Sequence, residues 1–214
     1  MQTITLHQLC PLIFAQKEEH HSEVWHQEVT FRKGESYLIE AISGTGKSSL
    51  CSYLCGYRND YEGRLDFDGK DARTYSVADW TLLRQKQISH LIQDLKLFPE
   101  LTALENIAIK NNLTHEKKES EILTWMERLG IAEKRDTLLG KMSFGQQQRV
   151  AFIRALAQPF DFILVDEPVS HLDDYHAQLM ADILQEEVAR KGAGLIATSI
   201  GKRLPLTYGK ILHL

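Results

Sequence analysis

Short apolar segments alternate with helical segments in the second half of this sequence, and this alternation limits the possible folds more than any other feature. The segments 162–165 and 195–198 are apolar apart from one threonine, and a helical segment near 174–190 separates them. A strand without a polar face has to be covered on both sides, and strands joined by helices run parallel. The sequence therefore predicts an α/β fold with a mostly parallel sheet covered on both faces.

The rest of the chain adds two further patterns. Short β-type segments dominate the N-terminal part, whereas the residues from 95 to 140 have a helical pattern. The predicted strands are 4–6, 12–14, 28–31, 36–41, 63–68 and 210–214, and the predicted helices are 48–55, 103–110, 117–129 and 146–158. An all-helical segment is therefore expected to be inserted into the α/β fold.

Charge and hydropathy exclude some classes of function. The chain of 214 residues has 25 basic and 29 acidic residues, so a broad basic face for general nucleic-acid binding is not expected. Its longest apolar runs fall far short of the roughly 20 residues that span a bilayer. The first residues lack the basic region of a targeting signal. We therefore expect a cytoplasmic chain that does not itself cross a membrane.

The three cysteines give no sign of a disulfide framework or a zinc site. The three cysteines, Cys10, Cys51 and Cys55, are odd in number, so they cannot all pair with one another. No two of them have the spacing of a CxxC motif. Cys51 and Cys55 lie four residues apart in a predicted helix. We expect reduced, buried thiols.

The segment 41–48, which reads AISGTGKS, follows a predicted strand and opens a predicted helix. In that context a glycine-rich loop directs backbone N–H groups at phosphate oxygens, and the helix N-terminus adds favourable partial charge. Lys47 would reach the β- and γ-phosphates, and the Ser48 hydroxyl would coordinate Mg²⁺. A glycine-serine loop with a chance lysine is the alternative. The predicted phosphate-binding residues are Ser43, Gly44, Thr45, Gly46, Lys47, Ser48 and Ser49.

A second segment supports the phosphate-binding interpretation. The apolar run 162–165 ends in Asp166 and Glu167. Ligands bind at the carboxyl edge of a parallel sheet, so Asp166 should lie beside the phosphate-binding loop. Asp166 would then hold the water shell of the metal, and Glu167 would polarise an attacking water.

A third segment resembles a motif of a known family. Residues 142–151 read MSFGQQQRVA and resemble the signature motif of ATP-binding cassette (ABC) ATPases. Gln93 is similar to the Q-loop glutamine of that family, 97–106 to the entry of its helical subdomain, and 170–173 to its D-loop. The resemblance spans almost the whole chain.

The resemblance implies one nucleotide-binding domain over residues 1–214, a P-loop NTPase with a RecA-like core and an N-terminal antiparallel β-lobe. Residues 1–93 and 151–214 would form the lobe and the ATP-binding core, and 94–150 the helical subdomain. The compact length is similar to that of ATPases that serve lipoprotein release, macrolide efflux and cell division. A C-terminal regulatory domain is not expected.

The resemblance also implies a mechanism in which two such domains dimerise head to tail around ATP and Mg²⁺. Ser143, Gly145 and Gln146 would contact the ATP bound to the partner. Gln93 would contact the metal beside Ser48 and Asp166 and act in catalysis. The implied partners are a homodimer or heterodimer mate and an integral membrane permease or FtsX-like subunit, with the chain peripherally attached to the inner face of the cell membrane.

Two departures from the family pattern bear on activity, and the residue that stacks on adenine is a separate question. Ala41 stands where the family prefers glycine, and a positive φ there would cost about 1 kcal/mol. Ser199 stands where the family places a catalytic histidine, so the resemblance implies slow turnover. Phe14 is the candidate for stacking on adenine, with a buried strand residue as the equal alternative.

Three functions follow from these observations. The main prediction is an ATPase subunit that powers or gates a separate membrane protein. The second is a slow or inactive ATP-dependent switch or scaffold, suggested by Ala41 and Ser199. The third is an ABC ATPase of translation or DNA repair, which the length of the chain and the lack of a long heptad repeat or basic stretch disfavour.

Overall fold

Five parallel strands form the central sheet in a computed structural model that describes residues 1–15, 22–42, 44–169 and 172–214. Numbered in chain order, the strands are β1 (Thr3–Pro11), β2 (Glu28–Arg32), β3 (Ser36–Glu40), β4 (Tyr61–Phe67), β5 (Lys70–Asp71), β6 (Ile88–Leu91), β7 (Phe162–Asp166), β8 (Gly194–Ser199) and β9 (Lys210–His213). The helices are α1 (Lys47–Leu54), α2 (Val77–Lys86), α3 (Ala103–Asn111), α4 (Glu119–Arg128), α5 (Phe144–Leu156) and α6 (Asp174–Lys191). Short 3₁₀ turns occupy Ala72–Thr74, Ala132–Lys134 and Leu139–Lys141.

The central sheet has the strand order β6-β7-β8-β3-β9 and is parallel throughout. Alternate residues of β7 enter different cores: Ile163 and Val165 pack with the helices α3 to α6, whereas Phe162 and Leu164 pack with α1 and the N-terminal strands. The sheet is therefore covered on both faces, as its apolar strands predicted. The predicted α/β class is confirmed.

The N-terminal strands form a separate antiparallel sheet with the order β2-β1-β4-β5. A bulge interrupts the pairing of β1 with β4 between His7 and Cys10. Gly63 faces this bulge with a φ of +78°, and a Cβ there would lie 2.3 Å from the carbonyl oxygen of Gln8. Glycine is thus required at that position. The predicted antiparallel lobe is confirmed.

The predicted strand at 12–14 is wrong. The chain leaves the sheet after Pro11, and the Phe14 amide donates to the Pro11 carbonyl at 2.8 Å to form a turn. Ile13 is 71% exposed. β1 runs to Pro11, where it pairs with Tyr61, and β4 begins at that residue, so the described pairing of β1 with β4 ends before 12–14.

The predicted helices are all present, with shifted ends. α5 begins at Phe144 because Ser143 caps it: the Ser143 hydroxyl accepts from the Gln146 amide, and the Gln146 side chain accepts from the Ser143 amide. α2 and β6 were not predicted. α2 buries only Leu83 among its residues, and β6 contains Ser89 and His90, so neither has a clear apolar period.

Within the described parts of the chain, no helix has both the length and the apolar character needed to cross a bilayer.

Candidate nucleotide-binding site

The loop between β3 and α1 takes its shape from two glycines. Gly44 has a φ of +86° and Gly46, the N-cap of α1, a φ of +98°. A Cβ on Gly46 would lie 2.7 Å from a ring carbon of Phe14. Ala41 is not among the described residues with positive φ, so the strain that a positive φ would impose on this alanine does not arise. The predicted phosphate residue Ser43 lies outside the described residues.

Trp25 supports the loop from the N-terminal part of the chain. Its indole nitrogen Nε1 donates to the Thr45 carbonyl at 2.9 Å, and its side chain is buried. The Thr45 hydroxyl closes the turn by donating to the Ile42 carbonyl at 2.8 Å. Sequence reasoning did not find Trp25, because nothing in the sequence links it to a loop twenty residues later.

Three predicted residues meet at the carboxyl ends of β3 and β7. The Lys47 ammonium lies 3.3 Å from Asp166 Oδ1 and also contacts Glu167 Oε1. The side chains of Lys47 and Asp166 are 6% and 4% exposed. Removing one partner from a buried ion pair leaves the other charge uncompensated. The lysine is therefore held by the carboxylates at the place where the sequence predicts phosphate.

Thr198, on β8, contacts the Asp166 carboxylate and the backbone of Glu167. Its hydroxyl donates to Asp166 Oδ1 at 2.5 Å and accepts from the Glu167 amide at 3.2 Å. Glu167 has a φ of 48°, in the left-handed region that is unfavourable for residues with a Cβ. Thr198 thus fixes a strained residue. It was missed because its role depends on the pairing of Asp166 with Thr198 between β7 and β8.

A cavity of about 550 Å³ opens over the loop. It is lined by the predicted residues Phe14, Gly44, Gly46, Lys47, Ser48, Ser49, Gln93 and Glu167. Phe14 therefore lies at the loop rather than in a strand. A neighbouring cavity of about 490 Å³ shares Ser48 and Gln93 with the first and is also lined by Asp166.

The set Ser48, Gln93 and Asp166 fits a magnesium ion chemically. These side chains supply a hydroxyl, an amide and a carboxylate, and Mg²⁺ prefers oxygen ligands. All three line the same cavity. They come from α1, from the residues after β6 and from the end of β7.

The structure does not bring Ser199 to the same cavity. Ser199 is 1% exposed, and its hydroxyl donates to the Lys202 carbonyl at 2.9 Å. It lines a different cavity together with Glu40 and His213, whereas Ile200 lines the cavity with Lys47. Successive residues of a strand point to opposite faces, so Thr198 takes the face toward Asp166 and Ser199 the other.

The signature segment forms a separate surface. Ser143 is exposed at the N-terminus of α5, and Phe144, the first helical residue, is 46% exposed. Ser143, Gly145 and Gln146 do not line the cavity around Lys47. Of the D-loop segment, residues 170 and 171 lie outside the described residues.

A histidine, His90, and two cysteines, Cys51 and Cys55, lie close to the predicted metal residues. Burial lowers the pKa of His90 to about 4 and raises the pKa of Cys55 to about 12. Burial also raises the pKa of Cys51. At neutral pH the imidazole is therefore uncharged and both thiols carry their protons. The cysteines are free, as the sequence predicted.

Comparisons with known proteins agree with this arrangement. The family model described as ABC transporter matches residues 26–170. The chain is 32% identical over 204 residues to the uncharacterized ABC transporter ATP-binding protein Rv0986 of Mycobacterium tuberculosis (strain ATCC 25618 / H37Rv), covering 94% of this chain and 82% of that protein. It is 34% identical to the lipoprotein-releasing system ATP-binding protein LolD of Granulibacter bethesdensis, covering 81% of this chain and 77% of the relative.

The fold matches solved structures as well. A dimeric structure of MJ0796, a bacterial ABC transporter cassette, superposes with a TM-score of 0.78 at 24% identity, covering 92% of this chain and 87% of that one. The family match over most of the chain, the two relatives and the shared fold confirm the resemblance carried by the signature segment. This chain belongs to the ABC transporter family.

Proposed function

We propose that this chain is the ATP-binding and ATP-hydrolysing subunit of an ABC transporter, and that it closes around ATP with a second such subunit to drive or gate a separate membrane protein. The observation that carries the proposal is the meeting of Lys47, Asp166 and Glu167 beside the glycine loop at the carboxyl edge of the sheet. In this role the chain would act in the cytoplasm, on the inner face of the membrane.

The side chains divide the work of binding and hydrolysis. Lys47 exchanges its carboxylate partners for the β- and γ-phosphates, the loop amides bind phosphate oxygens, and Phe14 stacks on adenine. Glu167 accepts the proton of the attacking water. Ser48, Gln93 and Asp166 would hold Mg²⁺, which would supply positive charge to offset the negative charge that develops during phosphoryl transfer.

A second subunit completes the site in this proposal. Ser143 and the first amides of α5 lie on a surface apart from the Lys47 cavity. A helix N-terminus favours an anion, so this surface would bind the γ-phosphate of ATP held by another copy or by a second ABC ATPase.

We further propose that 94–150 moves as the helical subdomain against the core of 1–93 and 151–214.

The direct test is steady-state phosphate release by the purified protein with ATP and Mg²⁺, compared with and without membranes that contain its partner. The proposal expects ATP binding, with hydrolysis that the membranes change. A protein that binds no ATP under either condition would contradict it.

A positively charged cavity supports the membrane partner. A cavity of about 210 Å³ between β6 and α3 is lined by Arg84, Lys96, Lys110 and Arg154. Among the residues that the structure describes, Arg84, Lys110 and Arg154 form no ion pair with a carboxylate. Burial lowers the pKa of Lys110. We propose that a cytoplasmic segment of the membrane partner places a carboxylate in this cavity.

Lys110→Glu is expected to reduce retention of the protein on membrane vesicles that contain the partner by at least about 10-fold, because it replaces attraction by repulsion at a desolvated position. Lys210→Glu, the same change on the exposed face of β9, is the control and should bind normally. Vesicle sedimentation measures both. Equal retention of the two variants would contradict a contact at this cavity.

Ser199 motivates the second candidate function, a slow switch or scaffold. The slow-switch candidate expects Ser199→His to raise phosphate release on the order of 10- to 1,000-fold. Ser199 itself lines a different cavity from Lys47, so the longer histidine side chain would have to reach past Ile200 toward the phosphate. Ser199→Ala should leave the rate unchanged, because the Ser199 hydroxyl donates its hydrogen bond to the Lys202 carbonyl. Wild-type turnover already within roughly 1 to 1,000 per second, with no gain from histidine, would remove the support for a slow switch.

A further inference from the structure

A cluster of metal-ligating side chains lies directly beside the proposed nucleotide site. Cys51 of α1, His90 of β6 and Asp166 of β7 each offer a ligand atom, and these atoms all lie within 4.8 Å of one another. Cys51 follows Lys47 by one helical turn, so both project from the same face of α1. The cysteine spacing gave no sign of a metal site because the histidine and the carboxylate come from other elements.

A second observation points to a ligand at this cluster. The Nε2 atom of His90 is buried and has no hydrogen-bond partner among the described residues. Its other ring nitrogen, Nδ1, lies 3.5 Å from the sulfur of Cys55. Buried polar atoms normally have a partner, so an orphaned imidazole nitrogen calls for an explanation. A bound cation would provide one.

The cluster is open to an arriving ion. Cys51, His90 and Asp166 line the cavity of about 490 Å³ that also contains Ser48 and Gln93. Zinc forms bonds of about 2.0 to 2.3 Å with sulfur, nitrogen and carboxylate oxygen, so the ligand atoms would approach one another by roughly 1 Å.

We propose that Cys51, His90 and Asp166 bind Zn²⁺. As the bond to sulfur forms, the Cys51 thiol releases its proton to solvent, and no electron is transferred. The mixed set of thiolate, imidazole and carboxylate favours Zn²⁺ over Mg²⁺, which binds oxygen ligands.

The site would make Zn²⁺ an inhibitor. Asp166 is shared with the proposed magnesium site, and it lies 3.3 Å from the Lys47 ammonium. A zinc ion that holds Asp166 competes with Mg²⁺ for this carboxylate and places positive charge beside Lys47. Zinc and Mg²⁺–ATP therefore exclude each other. This consequence rests on the proposed function, whereas metal binding itself does not.

Cobalt titration of the nucleotide-free protein tests the site, because Co²⁺ substitutes for Zn²⁺ and gives a thiolate-to-cobalt charge-transfer band. We expect this band in the wild type. Cys51→Ala and His90→Gln should each weaken Zn²⁺ affinity, measured by competition with Co²⁺, by at least about 10-fold. Thermal unfolding establishes whether both variants are folded. Because each variant removes a different ligand, the test still stands if one of the two does not fold.

Cys10→Ser is the matched control, because Cys10, His26 and Glu62 form another group with ligand atoms within 4.8 Å. It should keep the cobalt band. A wild type without the band, or a band lost in Cys10→Ser and kept in folded Cys51→Ala, would overturn the proposed site.

Nucleotide titrations of zinc-loaded protein then test the inhibition. One equivalent of Zn²⁺ should weaken ATP binding at least about 10-fold in the wild type and leave Cys51→Ala unaffected. Unchanged ATP affinity in zinc-loaded wild type would overturn the inhibition. A cobalt band in a protein that binds no ATP at all would contradict the proposed function and support the metal site.

Discussion

Lys47→Ala is expected to lower ATP affinity by at least about 100-fold, because it removes the cation that makes charge-assisted contacts with the β- and γ-phosphates. The lysine sits at the start of α1, where the glycine loop and the carboxyl edge of the sheet meet. Titration with a fluorescent ATP analogue measures the loss.

Two controls separate this effect from misfolding. Lys47 neutralises Asp166 and Glu167 in the nucleotide-free protein, so its removal leaves two carboxylates close together. Thermal unfolding of Lys47→Ala shows whether the fold survives. Lys210→Ala removes the same charge from β9 and should bind ATP like the wild type. Unchanged ATP affinity in folded Lys47→Ala would contradict the assignment of the site.

Glu167→Gln is expected to bind ATP at least as tightly as the wild type while hydrolysis falls about 100- to 10,000-fold. The amide can hydrogen-bond water but cannot accept its proton. The substitution also removes one of the two carboxylates that hold Lys47, which frees the ammonium for phosphate. Phosphate release and an ATP titration measure the two effects separately.

The same variant should accumulate as an ATP-bridged dimer, because hydrolysis is what lets the subunits separate. Size-exclusion chromatography with ATP and Mg²⁺ detects the dimer. Glu186→Gln makes the same charge change on α6, away from the site, and should hydrolyse ATP like the wild type. A monomer that demonstrably binds ATP would contradict a homodimer and require a second, different ABC ATPase.

The parts of the fold that depend on local pattern could be predicted from the sequence. The strands at 162–165 and 195–198 are apolar apart from Thr198 because both faces of β7 and β8 are buried. The approach of Lys47 to Asp166 follows from a general rule, since the carboxyl ends of parallel strands share one edge. Gly44 and Gly46 were predicted because a tight loop around phosphate needs their backbone freedom.

The parts that depend on long-range register could not be predicted. Thr198 meets Asp166 only because β7 and β8 pair at those residues, and His90 approaches Cys51 only because β6 lies beside β7. Trp25 reaches the loop across a turn whose course the sequence does not specify. β6 was not predicted for a local reason. It has only four residues, two of them polar, so its sequence shows no clear apolar period.

The central claim is that ATP is bound between two subunits, and a crystal structure of Glu167→Gln with ATP and Mg²⁺ tests it most directly. We predict that the γ-phosphate lies against Lys47 of one copy and the partner's Ser143, with Mg²⁺ held by Ser48, Gln93 and Asp166. An ATP molecule bound at Lys47 with Ser143 of every copy facing solvent, or one bound away from Lys47, would contradict the claim.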